Sequence, residues 1–222
     1  SEDSSSIKLI KFDLTKENLA LDSGCLFKDF DHVYHLAAIY DLSSSKSDML
    51  NTNVEGTRRL LSRLSMDGFK GYFHFISSIA VAGNFKGKFD EDMFAEGQEH
   101  AHDYHLSKYQ SEALVREHKL LNNFPIRIYR PSAIVGHSLT GHIDKIDGPY
   151  YLFLLISALK RWLPSKVPLI LPKTKVSIDI VPVDYVINSL VSISQLTESS
   201  IPEGQYCFHL SDPNTPSLSE VF

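Results

Sequence analysis

"GYFHFISS", residues 71–78, is the stretch on which the fold class turns. A run this short, rich in aromatic residues and closed by two serines, reads as a buried strand. Both flanks carry helical patterns. Upstream, "SDMLNTNVEGTRRLLSRLSMD" (47–67) spaces Leu50, Val54, Leu60, Leu61 and Leu64 at a helical period in spite of Gly56. Downstream, residues 104–121 predict a helix with Leu106, Ala113, Leu114 and Val115 turned inward. Farther out, "IKLIKF" (7–12), "FDHVYHLAA" (30–38) and "PIRIYRPS" (125–132) read as further strands, the last stopped by Pro131. The alternation predicts an α/β fold, a doubly wound parallel sheet covered by helices on both faces. Ligands of such sheets collect at the carboxyl ends of the strands. The residues expected there are Asp13, Ala37 and Ala38, Ser77 and Ser78, and Pro131 and Ser132.

The bulk properties narrow the classes. Hydrophobic content of 43% and charged content of 22% over 222 residues are those of a globular chain. A net charge of −5 without a basic run argues against nucleic acid or an anionic membrane as partner. Cys25 and Cys207 form neither a metal spacing nor a disulfide framework, and a reduced, cytoplasmic setting fits them. The most apolar window, "YYLFLLISALKRWL", is interrupted by Lys160 and Arg161 before it reaches the length of a membrane span. It predicts a helix over 149–162. From residue 138 onward the chain is richer in polar loop and proline, and "VSIDIVPVDYVINSLVSIS" returns to a strand followed by a helix. We therefore expect a core over 1–137 and a substrate-side elaboration, with that returning strand and helix, over 138–222. The last residues resemble a helix start capped by Ser217.

One pair of residues carries chemistry. Tyr104 and Lys108 are four apart at the front of a helix, so they share a face. Ten tyrosines and 15 lysines in 222 residues give about 0.7 such pairs by chance, so the pair needs its context. The context is Ser78, at a strand end 26 residues earlier. An ammonium beside a phenol favours the phenolate and brings the group toward neutral titration. A serine hydroxyl could hold a carbonyl oxygen nearby. Ser77 competes with Ser78 for that role. Asp13 could instead cap the helix that follows it, and Ala37 and Ala38 could be small for packing alone. His100, His102 and His105 crowd Tyr104, but without a neighbouring cysteine they do not read as a metal site. His35 reads as a packed strand residue.

"FDLT" (12–15), "VYHLAA" (33–38), "NTNVEGTRRLL" (51–61), "FISSIAVAG" (75–83), "YHLSK" (104–108) and "RPSAIVG" (130–136) follow one another in this order. Together they resemble the extended short-chain dehydrogenase/reductase superfamily, with a Rossmann-type NAD(P)-binding fold. "RPSAIVGHSLTG" with "DKIDGPYY" is similar to the thioester reductase and fatty-acyl reductase branch, the male sterility type. The resemblance implies Tyr104 as general acid, Lys108 as its activator and a ribose ligand, and Ser78 as the group orienting the carbonyl. It implies that Asp13 and Leu14 contact the adenine end, that Ala37 and Ala38 pass close to the cofactor, and that Asn53 fixes local backbone. It places Pro131 and Ser132 near the nicotinamide amide. "DGPYY" could be structural or could shape an acyl channel.

The family's glycine-rich phosphate loop has no counterpart among the 11 scattered glycines. We therefore expect its first two strands to lie outside these residues. Three functions remain open at this level. One is an NAD(P)H-dependent reductase, with NADP favoured, acting on a small carbonyl or acyl thioester, free or carrier-bound. The others are a nucleotide-sugar epimerase or dehydratase, and a non-catalytic piece lacking the phosphate loop.

Overall fold

The aromatic run forms a strand, Tyr72–Ile76 (β2), beside His32–His35 (β1). The two are parallel, with His32 opposite Tyr72 and His35 opposite Phe75. Successive β2 side chains point to opposite faces. Phe73 and Phe75 are buried on one face and His74 on the other, so both faces are covered, as a parallel sheet requires. Burial pushes the His74 imidazole down to about 3, helped by the neighbouring His32 and Arg127. The computed structural model describes residues 7–21, 24, 26–40, 45–121, 123–143, 150, 154, 158, 161–162 and 179–215. These divide into two compact units, Ser1–Ile128 and Tyr129–Phe222.

The seam falls inside the third strand, Ile126–Pro131 (β3). In the first unit β3 starts beside β2, where the Phe73 N–H donates to the Pro125 carbonyl at 2.9 Å. In the second unit the chain leaving β3 lies beside Cys207–Leu210 (β6), where the Ser132 N–H donates to the Leu210 carbonyl at 3.1 Å. The strand order is β1-β2-β3-β6, all parallel. A small second sheet pairs Ala133–Val135 (β4) with Ile180–Pro182 (β5), also in parallel.

The helical pattern over 47–67 forms as one run in three pieces. Lys46–Met49 (α1) is capped by the Ser45 hydroxyl, which accepts from the Asp48 N–H at 3.1 Å. A π-turn, Leu50–Glu55, follows, then Gly56–Met66 (α2). Leu60, Leu61 and Leu64 are buried as the period requires. Gly56 has a local reason: a Cβ there would stand 2.9 Å from the Leu14 Cβ. The third helix, Asp103–Leu120 (α3), packs on α2 and on the π-turn. In the second unit Val183–Ser194 (α4) follows β5 without a loop.

Two expectations change. "IKLIKF" is not a strand: Ile7 and Leu9 are 80% and 94% exposed, and the segment joins neither sheet. Apolar spacing alone makes no strand without a ladder to satisfy its backbone groups. The Asp13 N–H instead closes a turn on the Leu19 carbonyl at 2.8 Å, and Leu19 is fully buried at the cost of a left-handed φ of 59°. The second difference is β6, which the sequence reading did not anticipate. Most of the helix expected over 149–162 lies outside the described residues, as do most of "DGPYY" and the Ser217 cap. Among the described residues no helix is long and apolar enough to cross a membrane.

Candidate active site

Helix α3 presents a polar face inward. Its buried residues are Ser107, Lys108, Ser111, Glu112 and Val115; Leu106, Ala113 and Leu114, expected inward, are only half-buried. The reason is what that face meets. It lies against backbone carbonyls and hydroxyls at the end of β2 and in the π-turn, so hydrogen bonds set its orientation. The Lys108 ammonium donates to the Ile76 carbonyl at 2.5 Å and sits 4.9 Å above the Phe75 ring. This ties the Tyr104–Lys108 face of the helix to the carboxyl end of β2, two residues before Ser78. Burial pushes Lys108 from 10.5 down to about 8, and the Glu112 carboxylate opposes that fall. Tyr104 is half-buried and meets the Tyr40 ring edge-on at 4.6 Å.

The two serines part company here. The Ser77 hydroxyl is buried and donates to Glu112 Oε2 at 2.6 Å, so it is committed to the core. Ser78, next along an extended backbone, is half-buried and caps the 3-10 turn Ile79–Ala82, its Oγ accepting from the Ala80 N–H at 3.1 Å. That bond occupies an acceptor site and leaves the hydroxyl hydrogen able to reach a ligand oxygen. Gly83 closes the turn at φ 53°, where a Cβ would stand 2.3 Å from the Glu99 carbonyl oxygen.

Asn53 is the joint between the elements. Its Oδ1 accepts from the Ile39 N–H at 2.7 Å, and its Nδ2 donates to the Ile39 carbonyl at 3.1 Å and to Ser107 Oγ at 3.0 Å. The π-turn is what swings this buried amide between the loop after β1 and α3. Beyond β1, Ala37 and Ala38 are exposed. His35, buried, bonds Thr57 Oγ1 at 2.9 Å, and burial beside Lys108 pushes it down to about 3, so it is neutral.

Asp13 caps its own turn. Its Oδ1 accepts from the Thr15 N–H at 2.8 Å and from the Thr15 hydroxyl at 2.7 Å, which holds the carboxyl below its ordinary value. Leu14 is buried against Gly56, and its carbonyl accepts from Arg59 at 3.0 Å. Pro131 and Ser132 belong to the second unit, at the end of β3, with Ser132 buried. The same unit holds a cleft of about 450 Å³ walled by Ile134, Val135, Ile143 and Val183, with His137 and His142 also lining it. Of the histidines near Tyr104, His100 meets the Val81 carbonyl at 2.9 Å, while His102 and His105 stack edge-on. Among the described residues no group of three His, Cys, Asp or Glu is placed to hold a metal.

Sequence reading passed over Glu112, Arg116, Thr57 and Ser111. The one available signal was the four-residue spacing of Lys108, Glu112 and Arg116, which on an exposed helix is an ordinary charge ladder.

Residues 1–190 match the family model described as male sterility protein. The chain belongs to this family. The male sterility family chain is 29% identical over 228 residues to an aldehyde reductase of Aspergillus flavus, covering 96% of this chain and 20% of that protein. It is 28% identical over 198 residues to a non-canonical nonribosomal peptide synthetase of Aspergillus hancockii, covering 85% and 18%. The chain thus spans a fifth or less of these relatives. Among solved structures it superposes on the terminal R domain of the myxalamid PKS-NRPS biosynthetic pathway with a TM-score of 0.74 and 27% identity, covering 96% of this chain and 52% of that one.

Proposed function

We propose that this chain supplies the proton-donating half of an NAD(P)H-dependent reductase of the extended short-chain type, acting on an acyl thioester or related carbonyl. The observation that carries the reading is the Lys108 ammonium, buried and bonded to the end of β2, on the same helix face as Tyr104 and two residues from Ser78. A lysine buried at such a desolvation cost, at a strand end and beside a tyrosine, supports a functional site there.

The residues fit a dinucleotide on the first unit. The exposed turn after β1 carries nothing larger than methyl groups at Ala37 and Ala38, and Asn53 pins the backbone that follows. Ala37, Ala38, Asn53, Tyr104 and Lys108 would hold the cofactor, with Asp13 and Leu14 toward its adenine end. The assignment of Pro131 and Ser132 rests on the family pattern alone. Bound reduced nicotinamide supplies hydride to the carbonyl carbon, and the reductive direction favours NADPH. Tyr104 donates the proton to the carbonyl oxygen. Lys108 stabilises the phenolate that this leaves, and Ser78 donates its free hydroxyl hydrogen to the same oxygen. With a thioester, hydride on carbon and the proton on oxygen give a hemithioacetal; its C–S bond then breaks and the hydroxyl proton passes to sulfur, leaving an aldehyde and a free thiol. The names of the relatives, an aldehyde reductase and a nonribosomal peptide synthetase, support a carrier-bound acyl or peptidyl thioester as substrate.

The test is NADPH oxidation by the intact protein with an acyl thioester, an aldehyde and a nucleotide sugar in separate assays. Turnover of the thioester or aldehyde is expected. Tyr104→Phe should lower it by about 10²–10⁴-fold with cofactor affinity near normal. Turnover of the nucleotide sugar alone, or full activity in Tyr104→Phe, would overturn the reading.

A further inference from the structure

A buried acid–base pair, Glu112 with Arg116, lies along α3 from the candidate catalytic pair. Glu112 is fully buried. Its Oε2 accepts from the Ser77 hydroxyl at 2.6 Å and its Oε1 from Arg116 Nε at 2.8 Å. Arg116 lies 4.7 Å over the Phe94 ring, which stacks on Tyr109 at 4.6 Å. One turn ahead on the same face, Lys108 grips the Ile76 carbonyl and rests on Phe75. Three consecutive residues at the end of β2 are therefore held by one face of α3: a ring under an ammonium, a carbonyl on it, and a hydroxyl on a carboxylate.

We propose that Glu112 is a positioning residue of the reductase site, whose buried carboxylate turns Ser77 into the core, so that Ser78 faces the ligand, and provides the counter-charge for the Lys108 ammonium. The inference rests on the reductase reading. Ser77 and Ser78 are adjacent on extended backbone, so anchoring one hydroxyl inward sends the other outward. A buried ammonium needs a compensating charge, and a carboxylate one helical turn away is within reach. Among the described residues, the charged or titratable groups that act on Lys108 include Glu112 on α3 and His35 on β1, with Tyr104 one turn back on the same helix; from β2 come the Ile76 carbonyl and the Phe75 ring. With His35 neutral, Glu112 supplies the negative charge.

Glu112→Gln keeps the shape of the side chain and removes its charge. In the intact protein two readouts apply. The first is the pH profile of kcat for NADPH-dependent reduction. The second is the titration of the Lys108 side-chain carbon by NMR, which needs no turnover. Both should move to lower pH by roughly one to two pH units, because Lys108 loses the charge that opposes its desolvation. Ser77→Ala should lower kcat about tenfold or more, with KM for NADPH and the pH profile unmoved, because it loosens Ser78 without touching the charge. A Lys108 titration unchanged in Glu112→Gln, or a wild-type kcat in Ser77→Ala, overturns the proposal. If Glu112→Gln does not fold, Glu112→Asp replaces it, with Lys108 titration close to the wild-type value expected and a shift as large as that foreseen for the neutral residue counting against the idea. Absence of any reduction by the wild-type protein would sink the reductase reading instead, and the NMR titration would still decide the coupling.

Discussion

Lys108→Met should stabilise the protein while destroying its chemistry. Lys108 is buried, and folding moves it from 10.5 to about 8. At about 1.36 kcal/mol per tenfold change, that corresponds to roughly 3 kcal/mol of stability lost whenever the lysine is charged in both states. The Ile76 carbonyl loses its donor in the variant, which returns about 1 kcal/mol of that gain. The net expectation is about 2 kcal/mol of added stability at pH 7. The pH dependence carries the sharper test. Between pH 8 and 10.5 the unfolded chain holds a proton on this lysine that the folded chain has released, so wild-type stability rises with pH there relative to the variant. The advantage of Lys108→Met is therefore full below pH 8 and shrinks as pH climbs toward 10.5. Urea unfolding of both proteins from pH 6.5 to 10 measures the difference directly, and titrations common to the two cancel. A difference that stays constant across that range would refute the claim that Lys108 is charged at a desolvation cost. So would a variant that is less stable than wild type at every pH.

Two further outcomes follow from the packing. Asn53→Ala leaves the Ile39 N–H and carbonyl and the Ser107 hydroxyl without their amide partner. At about 1 kcal/mol each, a loss of roughly 2–3 kcal/mol in chemical denaturation is expected, together with a fall in kcat as the loop after β1 loosens. Gly56→Ala gains about 1 kcal/mol of helix propensity but brings a Cβ to 2.9 Å from that of Leu14. Overpacking of this kind costs about 1–3 kcal/mol, so thermal unfolding should show net destabilisation. An increase in Tm would show that the 13–20 turn yields freely.

The sequence by itself determined the alternation of strands and helices, because hydrophobic period and strand length are local properties that survive without partners. It also singled out Tyr104, Lys108 and Ser78 as candidates for one set, because their order and spacing are written in one dimension. Which serine turns into the core, which face of α3 is buried, and what Glu112 touches were decided only by tertiary structure. Each depends on what stands across from it: Ser77 is inward because a carboxylate from α3 waits there, and Lys108 is buried because a strand end offers it a carbonyl. The strand expected at 7–12 failed for the same reason in reverse. Apolar spacing states a willingness to pair, but a strand exists only where another backbone completes its hydrogen bonds, and that neighbour is not encoded in the segment itself.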